Sequence, residues 1–294
     1  MDLAASATEI GDAKLVAARV DGADAKSLRE AALYYSGLRQ RGLFGIDYSL
    51  KENMSVADFM HRKHIVIESE HKLIEANISR HNITLLQGEA SLQDAHTVRF
   101  TSKTGEKKIH GDIILIATGS SPYHPPEITV DDDLVYDSDS ILDMNRIPKT
   151  MAVVGGGVIG TEYASIFTAL GVNVILIEPR ERVLPFVDTE MIHRLTAQLK
   201  GLGVKFALGD RVAEVKTQAN RVQLRLQALG VLDVDIVLVA SGRQSNVQAL
   251  GLERIGVQTG EQGTIIVNEK YQTSVPNIYA AGDVIGFPAL ASAS

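Results

Sequence analysis

The segment Met151-Ala-Val-Val-Gly-Gly-Gly-Val-Ile-Gly-Thr-Glu-Tyr163 constrains the chain more than any other. An apolar run, Met151 to Val154, enters a turn carrying Gly155, Gly157 and Gly160 and leaves as a helical pattern ending near Leu170. That order predicts strand, tight turn and helix, and each glycine has a separate reason to be there. Gly155 permits the turn, Gly157 lets backbone approach a pyrophosphate, and Gly160 lets the helix lie close to the strand. The helix start offers unpaired N–H groups and a partial positive charge to phosphate oxygens. G-x-G-x-x-G alone is a weak signal, and a glycine-rich turn in another α/β unit is the competing reading. What favours a dinucleotide site is the next strand, Val174-Ile-Leu-Ile-Glu178. It ends in an acid about twenty residues past the glycines, where a carboxylate that accepts from a ribose diol belongs.

Chain length sets how much else must be accommodated: 294 residues suggest about two domains, and 45% apolar with 22% charged residues is the composition of an ordinary globular chain. A net charge of −7 argues against a nucleic-acid surface. No run is long and apolar enough to span a bilayer, and Met1-Asp-Leu-Ala-Ala-Ser-Ala-Thr-Glu lacks the basic and apolar regions of a signal peptide, so a cytoplasmic location is expected. There is no cysteine, which removes disulfides, thiolate metal sites and any dithiol relay from this chain.

Along the chain, residues 1–23 give no clear period. Leu28, Ala31, Ala32 and Tyr35 recur at helical spacing up to Gly37. Ser55 reads as the N-cap of a helix to about Arg80, with Met60, Ile67, Leu73, Ile74 and Ile78 as its apolar stripe. His61 and His64 could share a face of that helix. A polar, solvated face accounts for them better than a metal, and no metal site is expected. Ile83–Gln87, Gly88–Ala90, His96–Phe100 and Lys107–Ile109, with turns at Asp94 and Thr104-Gly105, predict a small meander. Asp112–Ala117 reads as a buried strand ending in Thr118-Gly119, and a proline-bearing connection follows to Pro148. Beyond Glu178 the pattern predicts a helix from Asp188 to Lys200 closed by Gly201 and Gly203. Strands follow at Val204–Leu208, Val212–Thr217, Arg221–Ala228 and Val234–Ala240. The last ends in Ser241-Gly242-Arg243, echoing Thr118-Gly119, and such strand-end turns are where open parallel sheets hold ligands.

Three motifs in this order, Ile116-Ala-Thr-Gly119, the glycine turn at 155–160 and Thr273 to Asp283, carry a resemblance. The chain resembles the flavoprotein oxidoreductases with two dinucleotide-binding domains, over about residues 25–294. Arg39-Gln-Arg-Gly-Leu, Pro122-Tyr-His-Pro, Tyr136-Asp-Ser-Asp-Ser-Ile-Leu142 and Gly282-Asp-Val-Ile-Gly-Phe-Pro-Ala-Leu-Ala-Ser292 make it similar to the soluble transhydrogenase branch. The resemblance implies an α/β fold of Rossmann-like FAD- and NAD(P)-binding domains. A partial FAD domain would occupy 1–148, an NAD(P) domain inserted in it 149–272, and the returning FAD segment 273–294. It implies hydride transfer between NADPH and NAD through bound FAD. Asp283 would meet the ribityl chain with Gly282 allowing close approach, Ala90 the adenine, Thr118 and Gly119 the flavin domain, and Ala291 the isoalloxazine. Lys26 would pair with Glu162 near the nicotinamide, because either charge alone is costly in a dry site. Gly155, Gly157, Gly160, Glu178, Val212 and Gly242 would hold the pyridine nucleotide. Glu178 favours NAD, since a carboxylate accepts from the diol and repels a 2′-phosphate; Arg180 and Arg182 could serve NADP but read more simply as solvated loop arginines.

The chain also departs from that pattern. Residues 1–24 hold only Gly11 and Gly22 where the first FAD fingerprint is expected. Asp21-Gly-Ala-Asp-Ala25 stands where the redox cysteines would fall, so ancestry shared with dihydrolipoamide dehydrogenase would have lost them. The C-terminal dimerisation domain of the family homodimer is likewise not expected here. A nucleotide-binding fragment without turnover is therefore the second reading, and its partners in either case are small-molecule nucleotides.

Overall fold

A computed structural model describes residues 6–7, 29–30, 32 and 56–286. Within it the chain divides into two compact units. One gathers 122–242 with residues up to 66, and the other 67–121 with 243–286 and the short segment at 6–7.

The first unit is built on a parallel sheet of five strands: β1 (Val135–Asp137), β2 (Thr150–Val154), β3 (Asn173–Glu178), β4 (Lys205–Leu208) and, later in the chain, β8 (Ile236–Val239). Their spatial order is β4-β3-β2-β8-β1, every pairing parallel. Helices α1 (Val158–Ala169) and α2 (Thr189–Leu202) make the crossovers after β2 and β3. Between β4 and β8 the chain forms an antiparallel meander: β5 (Val212–Gln218), β6 (Arg221–Leu226) and β7 (Gly230–Val234).

Strand alternation explains why the sheet is buried on both faces. In β2, Met151 and Val153 point into one core with Tyr163, Ala164 and Phe167 of α1 and Ile192 and Leu199 of α2. Ala152 and Val154 point into the other, with Val222, Leu224 and Leu226 of the meander. A near-continuous apolar run is what such a doubly covered parallel strand requires. Ala32 joins the helical core. The buried Lys63 places its ammonium 3.0 Å from both the Leu142 carbonyl and the Asp143 carboxylate, which satisfies a charge otherwise costly to bury.

The second unit holds the other meander, Glu89–Leu92, Thr97–Ser102 and Gly105–His110, all antiparallel. Its core is a parallel pair, Ile114–Ile116 with Ile278–Ala280, packed with Leu92, Val98, Leu250, Leu252, Val257, Ile265 and Val284. Residues 243–272 thus belong to this core, a grouping set by Leu250, Leu252, Val257 and Ile265 and not by the glycine turn at 242.

Several local expectations differ from the observed elements. Val135–Asp137 and Gly230–Val234 are strands where none was expected, both too short to show a period. Gly201 lies within α2, and Gly203 alone, in the left-handed region at φ 110°, ends it. The long helix, Val56–Arg80, ends where expected, but Leu73 of its supposed apolar stripe is 62% exposed. Among the described residues no helix is long and apolar enough to cross a membrane.

Candidate functional site

The glycine turn sits at the C-terminal end of β2, where β3 leads away on one side and β8 on the other. This is the switch point of the sheet, at which adjacent connections diverge and leave a crevice. Its walls are tight. Gly155, with φ +114°, donates its N–H to the Ile177 carbonyl at 2.9 Å, and a Cβ there would strike the Ala240 carbonyl. A Cβ on Gly160 would strike the Gly155 carbonyl, so α1 can approach β2 this closely only without one. Gly156, assigned no role from the sequence, is equally confined: a Cβ would lie 2.9 Å from Val183 and 3.0 Å from the Glu178 carboxylate.

Gly157 is different. A Cβ built on it meets nothing within 4 Å, and the same is true of Gly242, whose φ is +119°. Gly157 is also the N-cap of α1 and gives it no side-chain cap, whereas Asp188 caps α2 by accepting from the N–H groups of Glu190 and Met191. The turn therefore leaves open space beside the first backbone N–H groups and the positive end of the α1 dipole, which suits a pyrophosphate.

Glu178 ends β3 and is 1% exposed. Its Oε2 accepts the Gly156 N–H at 2.6 Å. Its Oε1 accepts the Arg180 N–H at 3.0 Å and Arg180 Nε at 2.6 Å, and Arg180 Nη2 lies 3.3 Å from Oε2. Burial by itself would raise the Glu178 pKa. The Arg180 hydrogen bond, the two backbone N–H groups and the guanidinium charge outweigh it and hold the carboxyl below its ordinary value. The acid thus secures the back of the turn, and Leu184 adds to this by donating its N–H to the Gly156 carbonyl at 2.9 Å. Arg180 pairs with Glu178 while its side chain stays 57% exposed. The sequence signal for it was only proximity, two residues past the acid.

Of the other residues in this unit, Val212 opens β5 and packs in the core containing Ile177 and Val239. Glu162 is half-buried in α1. Lys26, its expected partner, lies outside the described residues, as does Ala291.

The second unit brings Ala90 and Thr118 into one apolar pocket with Leu92, Val98, Ile116 and Leu250. Asn246, unremarked in the sequence, organises the Thr118-Gly119 turn. It accepts from Thr118 Oγ1 on its carbonyl at 2.8 Å, donates Nδ2 to the Thr118 carbonyl at 3.0 Å and donates its N–H to the Gly119 carbonyl at 3.0 Å. Asp283 follows Gly282, whose φ is +76°, and accepts from Ser120 Oγ at 3.2 Å. Arg243 Nε donates to the same hydroxyl at 2.7 Å. Gly282 and Asp283 thus stand at the end of Ile278–Ala280, beside the end of its parallel neighbour.

Residues 28–294 match the pyridine nucleotide-disulphide oxidoreductase family. The soluble pyridine nucleotide transhydrogenase of Mycobacterium bovis (BCG, Pasteur) is 38% identical over 271 residues, which are 92% of this chain and 58% of that protein. That of Colwellia psychrerythraea is 39% identical over 270 residues, with the same coverage. The chain thus spans 58% of the length of these curated relatives. Among solved structures, LpdA from Mycobacterium tuberculosis superposes with a TM-score of 0.85 at 26% identity, covering 93% of this chain and 60% of that one. The HOCl-induced flavoprotein disulfide reductase RclA from Escherichia coli, as its Cu(II) complex, gives 0.81 at 27% identity, covering 94% and 58%.

Proposed function

The chain belongs to the pyridine nucleotide-disulphide oxidoreductase family, and on that premise we propose that it carries the NAD-binding half, and part of the FAD-binding half, of a soluble transhydrogenase that moves hydride between NADPH and NAD. The observation that carries this reading is the open cradle at Gly157, uncapped and at the switch point of a parallel sheet. The pyrophosphate lies against the α1 N-terminus, with Gly242 leaving the neighbouring strand end clear. Glu178 faces the adenosine ribose. Its carboxylate accepts from the diol of NAD when Arg180 moves aside, and the exposed Arg180 guanidinium offers a charge to the 2′-phosphate of NADP. Glu162 lies in the first half of α1, on the nicotinamide side, and Lys26 is its proposed partner.

FAD, when bound, supplies the redox centre through which hydride passes between the two nucleotides. The second unit fits part of that cofactor. Ala90 and Thr118 line one small apolar pocket at the proposed adenine end, and the Asp283 carboxylate and Ser120 hydroxyl are hydrogen-bonding groups suited to a polyol chain. Ala291 is the proposed contact to the isoalloxazine. Family members act as homodimers, and the same assembly is proposed for the whole protein; its location is taken to be the cytoplasm.

The second reading is NAD binding without turnover, carried by the glycine cradle of the first unit alone. Flavin content separates the two. Purified protein carrying stoichiometric FAD and exchanging hydride between NADPH and an NAD analogue supports the transhydrogenase. Colourless protein that gains no flavin signal on adding FAD, yet still binds NAD, supports the second reading.

A further inference from the structure

The meander of the second unit carries a cluster that the nucleotide chemistry does not use. His96 immediately precedes the strand Thr97–Ser102, and His110 closes its antiparallel partner, with Thr97 opposite His110. Pairing in that register brings both imidazoles to one end of the hairpin, their ring centroids 5.7 Å apart. Asp112 follows two residues later. One ligand atom from each of the three lies within 4.8 Å of the other two, and all three side chains are exposed. Ligand atoms of a tetrahedral metal shell lie about 3.3 Å apart, so rotation of freely exposed side chains is enough to close the set.

The tautomer of His96 adds an independent constraint. Its Nδ1 lies 3.0 Å from the Gly111 carbonyl oxygen. An unprotonated nitrogen there would oppose two lone pairs, so the proton sits on Nδ1 and the neutral ring presents a free lone pair at Nε2. The Asn277 amide nitrogen donates one hydrogen to the Ala95 carbonyl at 2.6 Å, and its second reaches Nδ1 only at 3.3 Å, a longer contact than the one Nδ1 makes with Gly111. A backbone carbonyl on one ring nitrogen, which orients the other toward a cation, is the arrangement metal-binding histidines have.

We propose that His96, His110 and Asp112 bind a divalent transition-metal ion of the zinc class. Two imidazoles and one carboxylate suit such borderline cations better than Mg²⁺ or Ca²⁺, which prefer all-oxygen shells, and water completes the coordination. The ion ties the hairpin end to the segment that enters Ile114–Ile116. That end of the strand lies away from Thr118 and Asp283, so the ion stabilises this unit without touching either of those residues.

The test is calorimetric titration of the full chain with ZnCl₂ alone at pH 7.5, in a buffer that does not chelate. One ion per chain is expected, with affinity weakened at least ten-fold by His110→Ala and by Asp112→Asn and unchanged by His71→Ala on the long helix. Both lesions are on exposed side chains, and a thermal melt of each verifies that it folds. Binding no tighter than millimolar, or equally tight in His110→Ala and wild type, overturns the proposal. Affinity lost in His71→Ala instead would move the ion to the helix and overturn it equally.

Discussion

Glu178 has two roles that substitution can separate. It holds the glycine turn through the Gly156 N–H, and facing the ribose is its proposed second role. Glu178→Ala removes the acceptor and leaves a buried N–H unpaired, a loss of about 1–3 kcal/mol. The strand-end void and the lost Arg180 pairing add to this; the pairing counts for little, since the 57% exposure of Arg180 lets water screen it. A total near 3 kcal/mol is expected. Glu178→Gln keeps the volume and an oxygen for Gly156, and should cost only about 1 kcal/mol, the charge-assisted part of the bond. Urea unfolding followed by circular dichroism measures both. Binding divides differently. Either variant should weaken NAD about ten-fold, equivalent to one charge-assisted hydrogen bond at 1.4 kcal/mol, while NADP affinity holds or rises because a repelling carboxylate has gone. Fluorescence titration with each nucleotide supplies the ratio. Equal stability of the Ala and Gln variants would refute the turn-holding role. Equal losses for NAD and NADP would refute the ribose placement.

The glycines give a paired test: Gly160→Ala should destabilise by more than about 3 kcal/mol, because its Cβ meets backbone, whereas Gly157→Ala should melt like wild type and lose nucleotide binding. Matching melts for the two variants would contradict the steric assignment. Asp283→Ala should leave NAD affinity unchanged, since Asp283 belongs to the other unit, while abolishing any FAD uptake; a shift in NAD affinity on titration would argue otherwise. Acid should unfold the nucleotide unit early. Besides Glu178, burial raises but backbone N–H groups more strongly lower the pKa of Asp137, aided by His124, and of Asp210. The folded state thus binds fewer protons than the unfolded state. The stability this confers is complete above the ordinary values of 4.5 and 3.8 and is lost as pH falls through the lower folded values. Melting temperatures that stay flat from pH 6 to pH 3 would exclude that linkage.

What the sequence determined by itself is the local chain geometry wherever a residue type has few alternatives. Met151 to Val154 had to be a doubly buried strand, and Gly155 and Gly160 had to be glycine. Asp188 and Gly203 had to bound a helix. An apolar run, a positive φ and a cap are all properties of a few adjacent residues, so each can be read from neighbours alone. The meander at 89–110 was legible for the same reason, through alternation and its turn residues.

Only the tertiary structure decided which groups meet across the chain. It set Gly156 on the Glu178 carboxylate and Arg180 over it, Asn246 on the Thr118-Gly119 turn, and His96 beside His110 and Asp112. It also drew residues 243–272 into the core around Ile114 and Ile278, and made a strand of Val135–Asp137 because β8 offered an open edge. Burial and pairing depend on partners that stand anywhere from two to more than a hundred positions away. The free energy that selects them, from desolvation and hydrogen-bond satisfaction, does not exist until those partners have been brought together.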